Sequence, residues 1–314
     1  VATSVFAADM SVTGSASVTF ENHTGTAQDN TKAFSMGNQL DFAASGELDN
    51  GLTVSLAMTL DQNDDKAADD QSTVGSYNSG APFDSHSVTV SSDDLGTFVF
   101  AGEGGSSASS ALDTTAAGDM WDNFQAAADE PDASATGDNI MKYTTPDLMD
   151  SGLSVSASYT PGGTTGRAAS STAYGLTYTG VDGLTVSYGV GEDNTSLTSE
   201  AEQTVVSIKY AIGSVTVSAS DSEYDDEVAT GDRSVESYNI SYTVSDAISV
   251  SYGEEEITDG AASTVNAEFT GITVAYTAGG MTLTAKMQEG ENISYGTGAT
   301  EDKDYASVGL SFAF

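Results

Sequence analysis

The chain has 314 residues, no cysteine, eight Lys+Arg against 47 Asp+Glu, and a formal net charge of −39. So acidic a chain excludes nucleic acid as a partner, because phosphate binding rests on Lys and Arg, and the missing cysteines exclude a disulfide framework and thiolate metal sites. The apolar fraction of 38% is below the roughly 45–50% of ordinary globular domains; disorder would give such a composition, but not the regular alternation that follows.

The opening "VATSVFAAD" resembles the end of a secretory signal peptide, with Val5 and Ala7 at the −3 and −1 positions of a small-residue cleavage site. On that reading residues 1–7 are a leader remnant and 8–314 form a single domain. Next comes "SVTGSASVTF" (11–20), in which Val12, Gly14, Ala16, Val18 and Phe20 alternate with Ser and Thr. In "GLTVSLAMTL" (51–60) Leu52, Val54, Leu56, Met58 and Leu60 do the same. Period two is the signature of a strand with one apolar and one polar face.

Taken in chain order, the alternation predicts sixteen strands: 9–22, 35–48, 51–61, 84–93, 96–103, 139–147, 152–160, 171–180, 183–191, 201–212, 214–221, 234–244, 247–255, 264–277, 281–290 and 304–314. Connections alternate in length. Tight turns lie at 49–51, 93–96, 149–152, 181–183, 212–214, 245–247 and 278–280, and the others are long, polar and acidic. The phrase "GLTVS" and its near-copies restart at 152, 183, 213, 247 and 280, at intervals of 31, 30, 34 and 33 residues. That period marks one repeated unit, here an up-and-down hairpin resuming after each short turn.

Sixteen strands with short turns at one end and long loops at the other predict a closed antiparallel transmembrane β-barrel, since closure removes exposed edges. No apolar run reaches the roughly 20 residues of a spanning helix, which says nothing against a barrel. Charges should then avoid the apolar, lipid-facing phase. Asp41, Glu103, Lys142, Lys209 and Lys286 fall in the polar phase and are the predicted pore-wall charges, the three lysines being the only lumen-phase cations expected. Asp221 and Glu236 depart from the rule near loop ends. Glu254 departs further in, which implies that its strand is shorter than drawn. The phase also changes between Phe269 and Ile272, which calls for a bulge at Gly271 or a later strand start.

Three stretches carry a family resemblance. "DNIMKYTTPDLMDSGLSVSASYTP" (138–161), "DDLGTFVFAGEGG" (93–105) and the alternating C-terminus ending Leu310, Phe312, Phe314 resemble the general trimeric porins of Gram-negative outer membranes. The resemblance implies homotrimers, short periplasmic turns, passive diffusion of small hydrophilic solutes, a third loop folded into the lumen, and a terminal Phe read by the barrel-assembly machinery. Contacts with outer-membrane lipid and lipopolysaccharide follow from it too. The longest loop, about 104–138, is the matching segment, and long loops without structure of their own are usually functional. It carries Asp113, Asp119, Asp122, Asp129, Glu130, Asp132 and Asp138 and no basic residue. The family's arginine cluster opposite this loop is not evident; Gln39, Asp41 and Glu103 stand there instead.

An acid-lined constriction enriches cations, so a cation-selective general pore is the leading expectation. A substrate-selective channel and an acidic secreted surface protein are the alternatives. The first five acids of the loop are its predicted constriction residues. Trp121 and Phe124 are expected to pack the loop against the wall, and His23 and His86 to be rim residues without a catalytic partner. No cofactor is expected. The outer-loop acids, such as 61–70 and 222–232, suit solvated loops or a Ca²⁺ site, although 61–72 departs from an EF-hand at Lys66 and Ser72.

Overall fold

The computed structural model describes residues 9–25, 32–61, 84–124, 134, 136–162, 169–193, 201–226, 232–260, 265–297 and 301–314. Its strands, numbered here around the barrel, are β1 (Asp9–Gly25), β2 (Lys32–Glu47), β3 (Thr53–Asp61), β4 (Ser85–Ser92), β5 (Gly96–Glu103), β6 (Ile140–Thr144), β7 (Leu153–Thr160) and β8 (Ser171–Tyr178). They continue as β9 (Leu184–Asp193), β10 (Ala201–Ile212), β11 (Val215–Asp226), β12 (Arg233–Ser245), β13 (Ile248–Asp259), β14 (Ala267–Ala278), β15 (Met281–Glu291) and β16 (Lys303–Ala313). Each strand pairs antiparallel with its neighbours in sequence and β1 pairs with β16, so the sheet is a closed ring of sixteen.

Closure is made by the chain's two ends. Val18 faces Leu310 and Phe20 faces Val308, and past the last paired strand residue Gly14 and Phe314 exchange backbone hydrogen bonds of 2.8 and 2.9 Å. The Phe314 ring lies over Gly14, where a Cβ would stand 2.7 Å from Cε2. With no edge left, each strand pairs with a neighbour on both sides, as an apolar phase requires.

The repeated phrase has a backbone cause. Gly51, Gly96, Gly152, Gly183, Gly213 and Gly279 end or complete tight turns at φ between 60° and 82°, a left-handed region costly for other residues. At Gly96 there is a second constraint, because a Cβ would collide with the Thr144 carbonyl. Only the Ser245–Ala247 turn does without glycine; there the Ala247 amide bonds to Ser245 Oγ at 3.3 Å.

The alternation sorts as expected for a barrel in lipid. Val12, Phe20, Met36, Leu56, Phe100, Tyr174, Ile208, Ile240, Ile272 and Val308 all face outward and are exposed. Hydroxyl residues such as Ser158, Ser187, Ser220, Ser237 and Ser307 face inward and are buried. In water that outer face would be an aggregation surface.

The expectation of a shorter β13 is corrected, and of the two alternatives for β14 the later start holds and the bulge does not. β13 is longer than drawn, running to Asp259, and Glu254 sits on its outward face, accepting a hydrogen bond from Tyr252 Oη at 2.7 Å. β14 begins later, at Ala267, and keeps one register through Gly271 with no bulge. Phe269 therefore faces inward while Ile272 faces outward, and nothing changes phase. An inward Phe looks like a lipid-facing residue in sequence; what buries it is a loop from another part of the chain.

Candidate functional site

The segment after β5 turns into the barrel. A two-residue bridge, Gly105–Ser106 with Thr136–Gly137, pinches its base. From there residues 106–124 cross the lumen and lie along the wall from β7 to β16, each step held by an inward side chain of that wall.

The anchoring can be followed in order. The Ala108 amide donates to Ser158 Oγ of β7 at 2.9 Å. Ser107, Ser109 and Ser134 form a buried hydroxyl cluster, closed by Gln203 Oε1 of β10, which accepts from Ser109 Oγ and the Ser134 amide, each at 3.1 Å. The Ala116 amide donates to Ser220 Oγ of β11 at 2.8 Å, and Ser220 Oγ donates to the Thr114 carbonyl at 3.0 Å. The Ala117 amide donates to Ser237 Oγ of β12 at 2.8 Å. On β13 the Glu255 carboxylate, 2% exposed, accepts from the Met120 amide at 2.7 Å and from Ser237 Oγ at 3.3 Å. Asn123 Nδ2 donates to Gln288 Oε1 of β15 at 2.9 Å, and Lys303 Nζ of β16 donates to the Phe124 carbonyl at 3.2 Å.

A loop buried inside a barrel needs this, because orphaned backbone groups are costly. The end of the described stretch is also held by apolar packing. A short 3₁₀ turn, Met120–Asn123, enters through Gly118 and Asp119, both at positive φ. It drives Met120, Trp121 and Phe124 into a cluster with Val235, Ile257, Phe269, Ile293 and Tyr305. The Phe124 ring is 5.4 Å from Phe269 and 6.2 Å from Tyr305. Trp121 and Phe124 thus pack the loop to the wall, as the sequence suggests.

The wall is cut to receive the loop. Where the loop passes, inward positions are glycine: Gly175 beneath Ala108, Gly189 beneath Ser109 and Leu112, Gly253 beneath Ala117, and Gly271 beneath Met120. A Cβ at these places would come within 2.6–3.0 Å of loop atoms. Neither this glycine track nor the Ser158, Gln203, Ser220, Ser237, Glu255 and Gln288 anchors is among the expected site residues. Part of the signal is in the sequence: the glycines and the long polar Gln203, Glu255 and Gln288 stand at lumen-phase positions where Ser and Thr are the rule, whereas Ser158, Ser220 and Ser237 look like any other lumenal serine.

Among the described residues, the loop's anchors lie on β7–β16, and the inner face of β2 and β3 stands away from them. Asp113, Asp119 and Asp122 are exposed on the loop; Asp119 Oδ1 accepts from Thr115 Oγ1 at 2.5 Å. Asp129, Glu130 and Asp132 lie outside the described residues, as do residues 1–7 and most of the outer acidic runs. Asp138 is exposed near the loop base. On the β2–β3 face, Asp41 accepts from Gln39 Nε2 at 2.8 Å and Thr59 Oγ1 at 2.9 Å, and Glu21 and Asp61 share its inward phase.

Lys142, Lys209, Lys286 and Glu103 all lie on the inward phase, but only Lys142 and Glu103 share a site. Lys142 and Glu103 line a cavity of about 520 Å³ between the wall and the loop base. His86 Nδ1 stands 3.8 Å from Glu103 Oε2, an ion pair only when protonated. Lys286 lines a separate niche of about 300 Å³ with Glu21, Asn123 and Tyr305. Lys209 is near the tight-turn end of β10, paired across the sheet with Thr185 and Ser218. The expectation that these lysines are the only lumen-phase cations is corrected: Lys303 reaches the loop from inside, and Arg233 has the inward phase of β12. Both sit where strands meet outer loops, which is why phase was hard to assign there. Among the described residues no group of three or more His, Asp or Glu is placed to hold a metal ion.

A model of the Gram-negative porin family matches residues 1–277. An anion-selective porin from Comamonas acidovorans superposes with a TM-score of 0.74 at 16% identity, covering 98% of this chain and all of that one. Salmonella typhi OmpF in a complex with daunomycin gives 0.73 at 12% identity, covering 97% of each chain. A multiple mutant of the Rh. blastica porin gives 0.68 at 16%, covering 98% and 100%. No match is found among curated protein sequences. The chain belongs to the Gram-negative porin family and is an outer-membrane β-barrel protein.

Proposed function

We propose that this porin is a general diffusion pore that favours cations and small hydrophilic solutes, with the lumenal loop as its constriction and no catalytic step. The single observation that carries the reading is the presence of carboxylates on the loop, at Asp113, Asp119 and Asp122, and on the inward phase of the wall away from its anchors, at Asp41 and Asp61. The low-dielectric surroundings of a narrow passage focus that negative potential. The opposite preference in the Comamonas acidovorans porin's description belongs to that protein. Here the few inward cations are dispersed or tied to the loop, so they do not form a positive wall.

Liposome swelling tests the reading. Proteoliposomes should admit a small neutral sugar, and should admit a small organic cation faster than an anion of equal size. Equal or reversed rates for the charged pair would reject the selectivity, and exclusion of the sugar would favour a substrate-selective channel.

A homotrimer is part of the proposal, and one asymmetry supports it. Among the described strand residues, every outward-facing carboxylate lies on β9–β16, for example Glu192, Glu202, Asp221, Glu236, Glu256 and Glu268. The outer face of β1–β8 has none and presents Phe20, Phe34, Met36, Leu56 and Phe100. A face without carboxylates is the one that neighbouring copies can cover. Cross-linking from cysteines introduced on β1–β3 should trap trimers, whereas the same residues on β11–β13 should not.

A further inference from the structure

On the outward face of β10–β13 the sheet carries an apolar groove of about 420 Å³. Its floor is Ala219, which the strand register places between Ile208 and Tyr238. Ile208 and Tyr210 form one wall, Tyr238 and Ile240 the other, and Glu254 is the one charged residue lining it. We propose that this groove holds one aliphatic chain of an outer-membrane lipid whose head carries a primary ammonium group, with Glu254 as its partner.

The groove exists because Ala219 is small where its neighbours on both strands are large. An apolar channel opening to lipid is filled by lipid chains, so the question of specificity falls on the head. Glu254 has Tyr238 and Thr270 opposite it on the adjoining strands, neither a cation. Its described hydrogen bond, from Tyr252 Oη at 2.7 Å, leaves acceptor capacity on the carboxylate. An ionised carboxylate beside apolar surface is costly unless a cation joins it.

The surroundings select the charge of that partner. One step further out from Ala219 and Tyr238 lie Asp221 and Glu236, directly opposite each other, and Glu236 faces Glu256 in turn. Like charges so placed repel each other and disfavour a head of net negative charge, whereas a zwitterionic head can turn its ammonium toward them. The lone carboxylate of the groove suits a monovalent ammonium, whose remaining N–H groups can donate hydrogen bonds toward Asp221 or Glu236. A divalent ion bridging to phosphate needs several carboxylates converging on one point, and no such group of three occurs among the described residues.

Native mass spectrometry of the full chain in neutral detergent tests this. The probes are phosphatidylethanolamine, phosphatidylcholine and phosphatidylglycerol with identical chains, at equal mole fraction, with and without Mg²⁺. The ethanolamine lipid should be retained at one per chain and at least about five-fold over the choline lipid, because only the first offers N–H donors. Glu254→Gln should reduce retention to the choline level, and Ala219→Leu should displace all three lipids. Equal retention of the ethanolamine and choline lipids would overturn the proposal. Preference for the glycerol lipid would overturn it too, and if that preference required Mg²⁺ it would assign the surface to divalent bridging. Folding of each variant is read from the heat-dependent mobility of the barrel on gels, and Glu254→Gln, an isosteric change, decides alone if the Ala219 variant does not fold.

Discussion

At the residue scale the loop's position depends on a few inward side chains whose effects oppose each other. Glu255 pulls the loop to the wall through the Met120 amide and through Ser237. A buried donor left without its partner costs roughly 1–3 kcal/mol, so Glu255→Ala should loosen the end of the loop and raise open-channel current noise. Gly253 acts in the other sense: a Cβ there would stand 2.6 Å from that of Ala117. Gly253→Leu should push the loop into the lumen and lower single-channel conductance, at about 1–3 kcal/mol of overpacking strain. Quiet currents from the first variant, or unchanged conductance in the second, would contradict the seating described above. Phase alone assigned the wall charges Asp41, Glu103, Lys142, Lys209 and Lys286 to the inner surface, because period two is a local property. Glu255 and the glycines could not be given roles that way, since their partners lie on a loop far from them in sequence.

At the scale of elements, the strands were legible to within a few residues wherever apolar and polar residues alternated over a full span. They were less so near the outer loops, where acids replace apolar residues on the outward face of β11–β14 and the two faces become alike in composition. Glu254 and Phe269 mark the two errors this produces: a charge outside and an aromatic ring inside. Barrel closure is an element-scale property with its own test. The chain's last residue adds two backbone hydrogen bonds to Gly14 and a ring over it. Removing Phe314 should therefore slow folding into detergent micelles and lower the temperature at which the closed barrel opens on gels. Wild-type folding after that deletion would place closure wholly in the β1–β16 register. The loop's acids act as a set: a unit charge at about 8 Å is worth roughly 0.5 kcal/mol even at the dielectric of water. Each of Asp113→Asn and Asp119→Asn should lower the cation-to-anion permeability ratio by about two-fold or more.

At the scale of the whole molecule, net charge, ring closure and the inward loop combine in one account. A chain of charge −39 has described carboxylates on the loop, on the inward phase of the wall and toward the strand ends, with Glu254 the exception on the lipid-facing side, while its apolar alternation meets lipid. The ring supplies the rigid wall, and β7–β16 carry the loop, with Asp113, Asp119 and Asp122 on it and Asp41 and Asp61 on the inward phase of β2 and β3. The loop's inward course follows from serine hydroxyls, glycine gaps and an aromatic cluster that only the folded ring brings together. The most direct measurement is the reversal potential of single channels of the purified protein in a planar bilayer under a KCl gradient. The account predicts a potential of the sign for K⁺ over Cl⁻, shrinking as Asp113, Asp119 and Asp41 are neutralised. A potential of the opposite sign, or one unmoved by those substitutions, would contradict it.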